Sequence, residues 1–454
     1  MQDRPVLQLL AAGARPVAAI AAGALLLSWP ALVNLYPIVF SDTHAFLVMG
    51  GEPQMVWDKP FIYGPVLRLL HLNLSLWLPL LAQVLIVSHV LWLLRAAFGP
   101  ATARFHLALC LVLGAFSAAP WFASLLMPDI LAPVVVVSLF LLGFSASLRR
   151  GQRIWLVVLS SIGIASHLAY LPVALVVIGL ALILGGRRVV MVPLAVAVGL
   201  LLAGNAIGHG KLGLSPYGSV FALARLITDR PAQQVLALEC PYARWRMCDW
   251  QGRFPADSDT FLWDGDGPVW STPGGAKGLA AEASAIVWAT LWQAPAAVLR
   301  SGLANGWEQL GRVRLGDTLG NDWLEGSITG SLSAYFPPAE MARFRGGRQM
   351  GEQLRSVAEP LNGVHGAALV LGAGATMVIA WRRRGRLEGR LAVLVLAAVL
   401  TNAAVSGALS RPHDRYQARI AWLVLLPPLL KLPLPKPLGV RPGSGLSRIG
   451  SSGR

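Results

Sequence analysis

Residues 130–188 run ILAPVVVVSLFLLGFSASLRRGQRIWLVVLSSIGIASHLAYLPVALVVIGLALILGGRR. The apolar run 130–147 ends at Arg149, Arg150 and Arg153, and the runs 154–166 and 168–185 end at Arg187 and Arg188. Apolar runs without internal charges are the mark of membrane helices, and arginines gathered at their ends mark the cytoplasmic side. The pairs 105–118/130–147 and 154–166/168–185 each start and end at arginines. Each pair therefore reads as a hairpin, with SAAPWFASLLMPD and SHLAYLP as the outer turns.

Working outward, further apolar runs cover 17–40, 75–97, 189–208, 364–381, 389–409 and 418–436. Ten crossings place both termini in the cytoplasm, together with Arg95, Arg104 and the cluster Arg382, Arg383, Arg384, Arg386 and Arg390. The acidic residues test this layout independently, since all but Asp3 and Glu388 of the 22 fall on the outer side or at an outer turn. Composition agrees: the 454 residues are 55% hydrophobic and 13% charged, where a soluble domain is about a quarter charged. The expected fold is an all-α polytopic membrane protein of about ten transmembrane helices with a mixed, mainly helical periplasmic region. The expected setting is a bacterial inner membrane, and the first helix reads as uncleaved because no small-residue cleavage site follows it.

Four segments follow. Residues 1–208 form an N-terminal membrane module of seven spans with an outer loop at 41–74. Residues 209–363 form the periplasmic region, 364–436 a module of three spans, and 437–454 a Gly/Ser/Pro-rich cytoplasmic tail expected to be disordered. Within the outer region SPYGSVFALARLITDR reads as a short helix, and DSDTFLWDGDGPVWSTPGG as a turn-rich loop. Residues 279–313 read as one amphipathic helix lying on the membrane and kinked at Pro295. Cys240 and Cys248 bracket PYARWRM in an oxidising compartment and are expected to pair, while Cys110 lies in an apolar run.

The net charge of +16 does not point to nucleic acid, because the arginines sit at span ends rather than along one face. No Gly-rich phosphate loop, HExxH or GxSxG is present, so ATPases, zinc proteases and serine hydrolases lack support. No charged residue lies mid-span in the central helices, which weakens an ion-coupled transporter.

Chemistry concentrates at the outer ends of spans. Loop one opens Phe40-Ser41-Asp42-Thr43-His44, placing a carboxylate at the membrane surface, where lipid-linked substrates arrive. Asp42 can act there as a general base or hold a divalent cation such as Mg or Mn. Lys59-Pro60-Phe61-Ile62-Tyr63-Gly64-Pro65 reads as a re-entering turn that shapes a pocket. Asp129, in Met127-Pro128-Asp129, is embedded among apolar residues at membrane level, where a carboxylate needs a cation, a partner or a role. Ser166-His167 and Tyr170 mark the next outer turn. The last outer loop, Ser410-Arg411-Pro412-His413-Asp414-Arg415-Tyr416-Gln417-Ala418-Arg419, carries three arginines against the positive-inside bias. Their forks suit an anion such as a polyprenyl phosphate.

The order of these parts resembles the GT-C superfamily of membrane glycosyltransferases. The resemblance rests on Ser41-Asp42-Thr43, Met127-Pro128-Asp129 and the late outer arginines with Arg415-Tyr416, and on a long first outer loop, two compact hairpins and a large outer segment. It is nearer to uncharacterised bacterial members than to protein O-mannosyltransferases or aminoarabinose-to-lipid A transferases. It implies an inverting transfer of a sugar from a polyprenyl-phosphate donor to a glycan, lipid or protein acceptor, with no nucleic acid involved. Asp42 and Asp129 would be the catalytic pair, with a cation between them if one is used. Arg411, Arg415, Tyr416, Arg419, His167, Tyr63 and His44 would contact the donor phosphate and sugar. The rival readings are an O-antigen-type polymerase or ligase, a glycolipid flippase, and an envelope scaffold.

Overall fold

The computed structural model describes residues 4–52 and 54–431, with side chains from residue 15 onward; the tail 437–454 lies outside the described residues. The described chain is all-helical, about 73% helix with no strand. Among the described residues, four helices are long and apolar enough to cross a membrane: Trp77–Phe98, Arg188–His209, Leu361–Arg382 and Leu387–Leu409. The first apolar run begins in the helix Arg4–Leu27, and the others fold as shorter helices, among them Ala103–Phe116, Leu131–Phe144, Arg150–Ala165 and Tyr170–Ile183. At 1.5 Å per residue, a helix of 14 residues such as Leu131–Phe144 spans only about 21 Å, short of a bilayer core near 30 Å. That helix is buried along nearly its whole length, inside the bundle rather than against lipid. Its uniformly apolar sequence reflects burial on every side.

The tight turn at SHLAYLP separates two helices, with Tyr170 N–H donating to the His167 carbonyl at 2.9 Å. The last apolar run, 418–436, is described as far as residue 431 and there breaks into Asp414–Ala421, a 3-10 turn at Trp422–Leu425 and a short helix Leu426–Leu429. Pro427 and Pro428 explain the interruption.

The region 209–363 differs from the sequence expectation in two places. Residues 279–313 are two helices, Gly275–Gln293 and Pro295–Gly311, separated at Ala294 rather than one kinked rod. Pro295 begins the second helix, where a missing N–H costs nothing. The second helix packs closely against Leu387–Leu409 near its C-terminal end. A Cβ on Gly306 would stand 3.3 Å from Ala404 Cα, and one on Gly407 would meet the Asn305 carbonyl at 2.5 Å. Small residues on both sides allow that approach. The turn-rich stretch also holds a helix, Ser258–Trp263, capped by Asp257 Oδ1, which accepts from the N–H groups of Asp259 and Thr260, both at 3.0 Å. The helix Gly218–Thr228 stands where the sequence suggests. These helices bury a core of their own around Val220, Leu223, Phe261 and Ile286, apart from the larger core of the bundle. Cys240 and Cys248 are joined by a disulfide, and Cys110 is buried.

Candidate functional site

Two chain segments distant in sequence are held side by side before either delivers its acid. Ile38 N–H donates to the Ser124 carbonyl at 3.0 Å, and Leu126 N–H donates to the Ile38 carbonyl at 2.9 Å, a parallel backbone bridge between Ile38 and Leu125. Thr43 Oγ1 accepts from Phe40 N–H at 3.0 Å and donates to the Leu126 carbonyl at 3.2 Å. Asp42 follows the first strand of this bridge and Asp129 the second, each four residues on. From the region 209–363, Gln349 treats Val39 as a strand partner would. Its Nε2 donates to the Val39 carbonyl at 2.7 Å and its Oε1 accepts from Val39 N–H at 3.2 Å.

Asp129 sits on a 3-10 turn and is 1% exposed. Its Oδ1 lies 3.3 Å from Arg419 Nη1 and 3.7 Å from Arg415 Nε, while its Oδ2 has no hydrogen-bond partner. Arg415 and Arg419 are one turn apart on the helix Asp414–Ala421 and so share a face. Arg419 is 0% exposed, donates to Asn402 Oδ1 at 3.3 Å and lies over the rings of Tyr170 and Tyr416, at 5.0 and 5.3 Å. Arg415 lies over Phe40 and Tyr416 and reaches Asp42, with Nη1 3.6 Å from Oδ2. Its backbone N–H donates to Asp317 Oδ2 at 3.0 Å. A charge buried to this degree is tolerated when it is paired, and the aromatic faces supply further stabilisation.

Asp42 is the open end of this chain of charges, its side chain 30% exposed. Its second oxygen, Oδ1, faces Lys59 Nζ at 3.2 Å, and Lys59 also pairs with Asp58. Burial pushes the Asp42 carboxyl up, but the charges of Lys59 and Arg415 outweigh it and hold the group below its ordinary value. Asp42 is thus ionised at neutral pH. His167 stacks on Tyr170 with ring centres 4.8 Å apart. Burial first, then the charges of Arg419, Arg415 and Lys59, hold it well below its ordinary value, so it is neutral.

The structure therefore gathers Asp42, Asp129, Arg415, Tyr416, Arg419 and His167. It does not bring Arg411 to them. Arg411 turns to the acidic cap of the helix Ser258–Trp263, 3.2 Å from Asp257 Oδ1 and 3.2 Å from Asp259 Oδ2. Pro412 and the helix start at Asp414 explain this, because Arg411 lies outside the helix whose face carries the other two arginines. His44 also faces away, its Nδ1 2.7 Å from Ser331 Oγ. Tyr63 is buried edge-on to Phe46 at 4.9 Å, with its hydroxyl 3.5 Å from Gln83 Oε1. The guanidinium of Arg415 stands between Asp42 and Asp129, and a divalent cation bridging them would have to displace it. Among the described residues, no three His, Cys, Asp or Glu side chains are gathered for a metal.

Sequence reasoning left Lys59, Asp317, Asn402 and Gln349 without roles. Lys59 had a signal in its place in the re-entering turn; the others lie in segments with no distinguishing pattern. Beside Arg415 a small cavity of about 10 Å³, room for about one water, is lined by Trp121, Phe122, Arg314, Asp317 and Thr318. Comparison with protein-family models, with curated proteins and with solved structures finds no match.

Proposed function

We propose that this chain is an inverting glycosyltransferase that moves a sugar from a polyprenyl-phosphate donor to an acceptor at the outer face of a bacterial inner membrane. The proposal takes the ten-crossing topology, with the region 209–363 in the periplasm, as its frame. The observation that carries it is the sharing of Arg415 between Asp42 and Asp129. A half-open carboxylate at the start of the helix Thr43–Gly51 is coupled, through one guanidinium, to a buried acid and a second arginine.

The chemistry follows from that arrangement. Asp42 takes the proton from the acceptor hydroxyl, and the hydroxyl oxygen attacks the anomeric carbon. The bond from that carbon to the phosphate oxygen breaks, leaving its electron pair on the phosphate. Arg415 and Arg419 face the developing charge, where preorganised donors lower the barrier most. A donor phosphate that draws Arg415 toward itself removes one of the two cations holding Asp42 acidic. Asp42 then becomes a better base when the donor is in place. A single base suffices for inversion, since the phosphate leaves without a covalent enzyme intermediate.

The test is mass spectrometry of envelope glycolipids and glycans from a deletion strain complemented with wild type or with Asp42→Asn at matched abundance. Loss of one sugar increment on deletion, returned by wild type but not by the variant, supports the reading, and the missing mass names the sugar. Full restoration by Asp42→Asn refutes it. If that restoration comes with loss in Arg415→Ala, a diphosphate-dependent polymerase or ligase takes its place. Movement of an unchanged glycolipid between leaflets would indicate a transporter.

A further inference from the structure

Next to the charged cluster stands an aromatic face that the chemistry above leaves unused. Trp57 in loop one leans on Phe221 of the helix Gly218–Thr228, with ring centres 5.1 Å apart, and on Trp263, at 5.5 Å. Trp263 closes the helix Ser258–Trp263, and Phe221 also meets it edge-on at 6.2 Å. Lys59 Nζ lies 5.8 Å from the centre of the Trp263 ring and 3.2 Å from Asp42 Oδ1, so one ammonium group separates the indole from the carboxylate. Packing against Trp57 and Phe221 still leaves Trp263 46% exposed, and it is followed by the exposed acids Asp264 and Asp266.

A half-open indole beside carboxylates matches the chemistry of a pyranose. The C–H face of the sugar lies on the ring, and its hydroxyls donate to the acids. Position decides which sugar. The two oxygens of Asp42 face opposite ways, Oδ2 toward Arg415 and Oδ1 toward Lys59. With the leaving phosphate on the arginine side, the hydroxyl that loses its proton approaches from the lysine side, where Trp263 stands. We propose that Trp263 is the stacking platform for the sugar ring of the acceptor, with Asp264 receiving its hydroxyls, so that the acceptor is a glycan or glycolipid rather than a protein side chain. This inference rests on the transferase reading for the direction of approach, and on the aromatic geometry for the site itself.

The experiment uses the full chain in lipid nanodiscs and saturation-transfer NMR, with methyl β-glucopyranoside, methyl β-galactopyranoside and methyl N-acetyl-β-glucosaminide as probes. Wild type should give signal on ring protons of at least one probe. Trp263→Ala should weaken that probe about fivefold, the scale of one aromatic stacking contact, and Trp263→Phe should recover most of it. Asp42→Asn should bind as wild type does while failing to transfer, which separates the two ideas. If Asp42→Asn transfers normally but Trp263→Ala loses the probe, the platform stands and the catalytic assignment falls. If Trp263→Ala binds as wild type, or wild type binds none of the probes, Trp263 is no sugar platform and the inference is overturned.

Discussion

Replacing Arg419 by Met should be among the most damaging single changes in the bundle. Arg419 and Asp129 are 0% and 1% exposed and meet at 3.3 Å. Methionine keeps the length of the side chain and its apolar stem but strands a carboxylate in the interior. Arg415 remains, but at 3.7 Å, and it is shared with Asp42. Removing one member of a buried pair costs about 3–5 kcal/mol, most of it the desolvation of the charge left behind. The cost should therefore fall when that charge is also removed. Asp129→Asn added to Arg419→Met should recover more than half of the loss, which additive single effects would not allow. Thermal unfolding of the detergent-solubilised protein, followed by intrinsic fluorescence for wild type, both single variants and the double variant, completes the cycle. A cost below about 1 kcal/mol for Arg419→Met, or a double variant less stable than that single one, would refute a pair in which each charge depends on the other.

The remaining predictions concern loop one. The Asp42 carboxyl is held below its ordinary value of 3.8, so its contribution to stability is full above that value and disappears as pH falls through the lower folded one. Wild type should out-melt Asp42→Asn from neutral pH down to about 4, and the gap should close in more acidic buffer; a gap that widens there contradicts the pairing with Lys59 and Arg415. Gln349→Ala should cost about 1–3 kcal/mol by leaving the Val39 peptide buried and unpaired, and should lower transfer because Val39 leads into Asp42. Unchanged melting and unchanged transfer in that variant would show that Gln349 does not position the loop.

How much of this was legible in the sequence depended on whether the signal was local. Apolar runs and their bounding arginines located nearly every helix of the bundle, because solvation of a helix is a property of its own residues. Length discriminated less well: Leu131–Phe144 is apolar because protein surrounds it, and composition does not distinguish protein from lipid as the surrounding medium. The meeting of Asp42 with Arg415, and of Asp129 with Arg419, agrees with the outer position that the sequence reading assigns to all four and with the four-residue spacing of the arginines. Arg411 shows the limit of counting charges in a loop. Pro412 was a visible sign that it would not continue the helix, but its partners, Asp257 and Asp259, belong to a helix hidden in a turn-rich stretch. Lys59 had only its place in the re-entering turn to mark it, and Gln349 is set by tertiary placement that nothing adjacent to it in sequence announces.

The bridge between Ile38 and Leu125 has a consequence for how such a site can change over time. Each acid lies the same number of residues beyond its bridged position, so chain length sets their alignment as firmly as side-chain identity does. A methyl group gained or lost along either stretch is absorbed locally. One residue inserted into either stretch shifts that acid past its counterpart and separates the pair that Arg415 spans. Drift in this lineage can therefore rewrite the letters between the bridge and the acids, while the count of letters stays fixed.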